Sequence, residues 1–177
     1  MIALDLDGTL INFGGGVPAV PNLALLHALR AAGVREVAIA TNQGGIPFAV
    51  GQAQGGKPVT FPTADEFAER LQAAWFALFD AHIGLCGLRV CVYHPKASPA
   101  AVKAAAEQVR RRLPGMLPAY MGPDDWHVYT SAYTRKPRGG MLSSLAPAGT
   151  YYGDSDEDEK AATGAGWSFV RVERFTG

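Results

Sequence analysis

The chain has 177 residues, 48% hydrophobic and 18% charged, a length suited to one domain and a composition that buries a core rather than staying disordered. Lys plus Arg and Asp plus Glu are 16 each, so no net field favours nucleic acid or an anionic membrane. Two cysteines, Cys86 and Cys91, exclude a disulfide scaffold, and the most apolar window, broken by Asp80, is too short to span a bilayer. Asp5 and Asp7 interrupt the first apolar run, which lacks the basic leader of a secretory signal, so the expectation is a cytoplasmic protein with one domain over 1–177 and no membrane association.

Ile2 to Leu6 is short and apolar and runs into Asp7-Gly8, which predicts a buried strand closed by a turn. Leu23, Leu26, His27, Leu29 and Arg30 recur at helical spacing, and Gly33 is placed to end that helix. Glu36 to Ala40 reads as a second strand, ending in the polar turn Thr41-Asn42-Gln43-Gly44-Gly45. Residues 46–62, interrupted by Gly and Pro, read as a loop. Thr63, three before Glu66, has capping-box spacing and opens an amphipathic helix to Asp80.

A third strand is predicted over Leu88 to Tyr93, and a helix from Ser98-Pro99 to Arg112 with Pro at its first position. Trp126 to Thr130 reads as a short strand and Gly139 to Leu145 as a short helix. Thr150 to Tyr152 is a strand ending at Gly153-Asp154; an acidic run then leads into a helix ending near Gly166, and Ser168 to Val172 is the last strand. This alternation predicts an α/β, three-layer, Rossmann-like fold with a central, mainly parallel sheet. Ligands of such sheets bind beyond the C-terminal strand ends, so the polar residues there carry the functional reading.

Asp5 and Asp7 flank Leu6 directly before Gly8. A buried strand otherwise avoids unpaired carboxylates, and a pair can bind a divalent metal or divide nucleophilic and acid/base roles. Thr41 and Asn42 sit before a Gly-rich turn, a cradle for an anion but also ordinary turn chemistry. Asp156, Glu157 and Glu159 are explained by a helix N-terminus, whereas Asp154 is expected beside Asp5 if their strands are neighbours. Lys136, before Pro137 at an expected helix start, can balance the charge of such a site; a solvated basic cluster is the plainer alternative.

Other patterns fail on their own terms. Neither acidic segment has the Gly and Glu positions of a calcium loop. Gly51-x-x-x-x-Gly56-Lys57 imitates a P-loop, but Pro58 stands where the metal-binding hydroxyl belongs. Gly14-Gly15-Gly16 reads as a flap beside the site. Cys91 and His94 are too few for a closed zinc site, and Cys86 is on the wrong side of its strand to be a sure third ligand. His94 and His127 are minor substrate-contact candidates, while Arg110-Arg111-Arg112 is a solvated helix end or, with Arg135, Arg138, Trp126, Tyr129 and Tyr133, a single-strand track.

Taken in order, Asp5-Leu-Asp7-Gly-Thr9-Leu, Thr41-Asn42, Lys136-Pro137 and Gly153-Asp154-x-x-x-Asp158 resemble the four motifs of the haloacid dehalogenase superfamily. The wordings Thr-Asn-Gln-x-Gly-Ile and Arg-Lys-Pro-x-x-Gly-Met are similar to the branch with histidinol-phosphate, heptose-bisphosphate and polynucleotide 3'-phosphatases. The resemblance implies two-step phosphoryl transfer, with Asp5 the nucleophile and Asp7 the acid, then the base. It implies Mg²⁺ held by the Asp5 side chain, the Asp7 carbonyl and Asp154, supported by Asp158, with Thr41 and Lys136 on the phosphoryl oxygens and Asn42 as helper. A carboxylate at position 7 suits phosphoester hydrolysis better than dehalogenation.

The implied substrate is a phosphorylated small molecule (a sugar or amino-alcohol phosphate) or a nucleic-acid 3' end. The chain departs from the sugar-phosphate members in having no Cys-x-Cys before Arg135. The insert over 11–20 is also too short for a large cap domain, which implies an open site. The alternative from another class is a catalytically idle binding module, disfavoured because Asp5, Asp7, Lys136 and Asp154 are all present.

Overall fold

The computed structural model describes residues 1–14 and 18–177; Gly15 and Gly16 of the expected flap lie outside the described residues. Six strands form one all-parallel sheet: β1 (Ile2–Leu4), β2 (Glu36–Asn42), β3 (Gly84–Cys91), β4 (Trp126–Tyr129), β5 (Thr150–Gly153) and β6 (Ser168–Arg171). Their spatial order is β4-β3-β2-β1-β5-β6. Parallel neighbours need crossover connections, and helices α1 (Leu23–Ala31), α2 (Ile46–Gln54), α3 (Ala64–Asp80), α4 (Pro99–Arg112), α5 (Gly140–Ser143) and α6 (Asp156–Gly164) lie in them. The winding direction switches between β1 and β5, which places a crevice beyond their C-terminal ends.

Strand alternation separates two cores. Leu4, Val37, Ile39, Leu88 and Val90 face α1 to α4, while Ala3, Ala38, Ala40, Cys91 and Tyr151 face α5 and α6. Small residues on the second face leave room for the Tyr151 ring, whose hydroxyl donates to the Ala40 carbonyl at 2.7 Å. The capping box expected at Thr63 and Glu66 is formed and starts α3. Among the described residues no helix is long and apolar enough to cross a membrane.

Three local expectations are corrected. Residues 46–54 are helical rather than loop, because Pro47 occupies the first turn, where no donor is lost, and Ile46, Ala49 and Val50 bury one face. The first strand ends at Leu4, two residues early; Asp5 adds one main-chain bond to Tyr152 O (2.9 Å) before the chain turns at Gly8, with φ of 80°. Helix α5 begins at Gly140, so Pro137 lies in the preceding turn and not at a helix start.

Candidate functional site

Asp5 follows β1 and Asp154 follows β5, and the pairing of these strands brings the two together beside Asp158 of α6. One carboxylate oxygen from each of Asp5, Asp154 and Asp158 lies within 4.8 Å of the others. Close approach depends on glycine: a Cβ at Gly8 would meet Asp154 Oδ2 at 2.7 Å, and one at Gly153 would meet the Asp158 Cβ at 2.5 Å.

Lys136 enters this group from the segment after β4. Its Nζ donates to Asp5 Oδ1 at 2.7 Å and to Asp158 Oδ1 at 2.6 Å, and reaches the Tyr151 hydroxyl at 3.1 Å. Asp158 is committed on its other side as well, accepting at Oδ2 from Ser155 N (3.1 Å) and Oγ (2.5 Å) in the capping box that starts α6. Burial alone would lower the Lys136 pKa, but Asp5, Tyr151 and Asp158 hold it well above its ordinary value. Burial pushes the Asp5 carboxyl up to about 7 against the opposing pull of Lys136. Burial acts on Asp158 too, yet its contacts with Lys136 and Ser155 leave it below the usual carboxylate range. The two carboxylates flanking one cation are thereby driven apart, the pattern of a site with divided roles.

Asp7 is separate from this cluster. Arg70 of α3 donates to Asp7 Oδ1 from Nε (3.2 Å) and Nη2 (2.7 Å), and Gln43 Nε2 donates to Asp7 Oδ2 at 2.7 Å. Gln43 Nε2 also donates to Thr41 Oγ1 at 3.0 Å, so the end of β2 is tied to the turn after β1. Asn42 uses both ends of its amide on the Lys136 main chain: Nδ2 donates to O (3.3 Å) and Oδ1 accepts from N (3.2 Å). It therefore fixes the Lys136 segment, a supporting contact rather than a direct cradle for an anion.

Most of these groups line one cavity of about 1160 Å³, although the fully buried Asp158 and Tyr151 do not. Asp5, Asp7, Thr41 and Lys136 line it together with Phe13, residues of α3 and the C-terminal segment with Arg171 and Arg174. Arg174 Nε pairs with Asp154 Oδ2, and its guanidinium lies 4.6 Å from the Phe13 ring centroid. The segment is pinned where Phe175 N donates to Gly8 O and Phe13 N to Phe175 O, both at 2.8 Å.

The donor set suits a hard cation such as Mg²⁺, because all three candidates are carboxylate oxygens. Asp5 and Asp154 could serve as direct donors to such an ion. Both Asp158 oxygens are already engaged, so its part is to hold Lys136, and the Asp7 side chain is turned to Arg70 and Gln43.

The remaining candidates lie elsewhere. The Cys91 thiol donates to Ser131 O at 3.8 Å from the buried second core, and His94 Nδ1 accepts from Lys96 N at 3.2 Å. Arg110 donates to Val128 O, and Arg112 pairs with Asp65, both on the α4 side of the sheet. Trp126 packs against that core and Tyr129 against the opposite one, so these two aromatics of the expected single-strand track lie on opposite faces of the sheet. Sequence reasoning missed Arg70, Tyr151 and Arg174 as site residues, and gave Gln43 only as part of a turn.

Comparisons with protein-family models, with curated proteins and with solved structures found no match to this chain.

Proposed function

We propose that this chain is a Mg²⁺-dependent phosphomonoester hydrolase of the haloacid dehalogenase type, acting on a small sugar or amino-alcohol phosphate or on a polynucleotide 3'-phosphate. The observation that carries this reading is the convergence of Asp5, Lys136, Asp154 and Asp158 from four chain segments at the winding switch of a parallel sheet. Asp5 Oδ1 accepts from Lys136, while no described residue donates to Oδ2, which is left for attack.

In the first step Asp5 attacks phosphorus, the bond from phosphorus to the leaving oxygen breaks, and the proton of Asp7 passes to that oxygen. In the second step the Asp7 carboxylate takes a proton from water as the water oxygen attacks phosphorus. The bond between Asp5 and phosphorus breaks, phosphate leaves, and Asp7 is again protonated. The Thr41 hydroxyl provides a donor to the phosphoryl oxygens, and Lys136, whose three N–H groups go to Asp5, Asp158 and Tyr151, provides a fixed positive charge beside them. Asp5 and Asp154, with the Asp7 carbonyl as the resemblance implies, would hold Mg²⁺, which would supply positive charge to the same oxygens.

The test is phosphate release from a panel of 4-nitrophenyl phosphate, histidinol phosphate, sugar mono- and bisphosphates and a 3'-phosphorylated oligonucleotide, with Mg²⁺ or with chelator. Mg²⁺-dependent release from one class identifies the substrate. Release that is undiminished by chelator contradicts the assignment.

A further inference from the structure

Arg70 is a conspicuous charge outside the four motifs. It lies in the middle of a 17-residue helix, 63 positions along the chain from its partner, and its side chain is only 12% exposed. Its guanidinium does two things: Nε and Nη2 close a fork on Asp7 Oδ1, and Nη2 also donates to the Asn12 carbonyl at 2.6 Å. A fork of this kind fixes a carboxylate in direction as well as in distance, which a single ammonium does not. The second Asp7 oxygen meets only a neutral amide, that of Gln43.

We propose that Arg70 is the positioning residue of the reaction, holding Asp7 by Oδ1 so that Oδ2 is the oxygen that gives and takes the proton. The inference rests on the phosphatase reading above and adds to it a residue that none of the four motifs contains. As a carboxylate, Asp7 accepts from Arg70 and from Gln43 Nε2, as found. The helix that carries Arg70 thus sets the acid/base, although the residue need not touch the substrate.

The experiment compares the full-length wild type with Arg70→Ala and Arg70→Lys in Mg²⁺, on 4-nitrophenyl phosphate and on an alkyl phosphate, by rapid mixing. Nitrophenolate leaves without a proton, so formation of the phosphorylated enzyme should change less than about threefold in Arg70→Ala, since general acid catalysis is not being used. Steady turnover of the alkyl phosphate, which needs the proton in the first step and the base in the second, should fall by about 100-fold. The aryl substrate should then give a burst of about one equivalent followed by slow turnover, and Arg70→Lys should lie between the two proteins. Equal losses in the burst and in both turnovers, or no loss in any, would overturn the role. Thermal unfolding is read in parallel, and if the alanine variant does not fold, the lysine variant carries the same comparison. Failure of the phosphatase reading is distinguishable, because the wild type itself would then release no phosphate.

Discussion

The Lys136 cluster makes a quantitative demand on stability. Lys136, Asp5 and Asp158 have side chains 6%, 10% and 0% exposed, so their ion pairs belong to the buried regime and not to the surface regime of a few tenths of a kcal/mol. Replacing Lys136 by Met leaves two buried carboxylates facing each other, and breaking a buried pair from one side costs about 3–5 kcal/mol. Replacing Asp158 by Asn leaves Lys136 still paired with Asp5, so the loss should be nearer 1–3 kcal/mol, roughly that of a hydrogen bond to a charged group. In the double variant only one carboxylate remains to be buried, and the effects should fall short of additivity by about 1–3 kcal/mol. Urea unfolding in chelator measures the cycle. Single effects that add to within about 0.5 kcal/mol would refute the claim that Lys136 and Asp158 act as one unit. The ionisation directions add a sign. Lys136 is raised, so its contribution is complete below 10.5 and is lost only as pH climbs through its still higher folded value. Asp158 is lowered, so its contribution is present above 3.8 and is lost as pH falls through its folded value.

Two further outcomes concern the metal. Asp5 is raised from 3.8 to about 7, so the folded protein holds this proton more tightly than the unfolded chain, and without metal the Asp5 contribution to stability declines as pH rises through that window. An Mg²⁺ ion bound at Asp5 would have to displace the proton. Its affinity, read as the shift in melting temperature on titration, should therefore increase from pH 5 to pH 7 and level off above; a flat profile would contradict the proton coupling. Arg174 already supplies a cation to Asp154, so Arg174→Gln should tighten Mg²⁺ binding several-fold by calorimetry, whereas an unchanged constant would show that the pair does not compete with the ion.

What was legible in the sequence follows strand ends. Asp5, Thr41 and Asp154 stand directly after or at the end of predicted strands, and a parallel sheet collects such positions at one edge, so local patterning sufficed to group them. Lys136 was legible from its motif, but the reason it points to Asp5 was not: Asn42 ties down its main chain, a bond across 94 positions that no spacing reveals. Arg70, Tyr151 and Arg174 were hidden for a related reason. Arg70 and Tyr151 sit in regular elements whose own periodicity explains them and Arg174 sits in the tail, and only contacts distant in sequence bring each to the site. The helix at 46–54 was obscured by its Gly and Pro content, although Ile46, Ala49 and Val50 carry the i, i+3, i+4 spacing that its buried face uses.

The most direct test is the covalent fate of Asp5. Wild-type protein is mixed with 4-nitrophenyl phosphate in Mg²⁺, quenched in acid within milliseconds, digested with protease, and the peptide containing residues 1–30 is weighed by mass spectrometry. The account predicts a gain of one phosphoryl group that maps to Asp5, is removed by hydroxylamine, and is absent in Asp5→Asn and in chelator. A wild type that turns over substrate with no label on Asp5, or an Asp5→Asn protein that retains turnover, would contradict it.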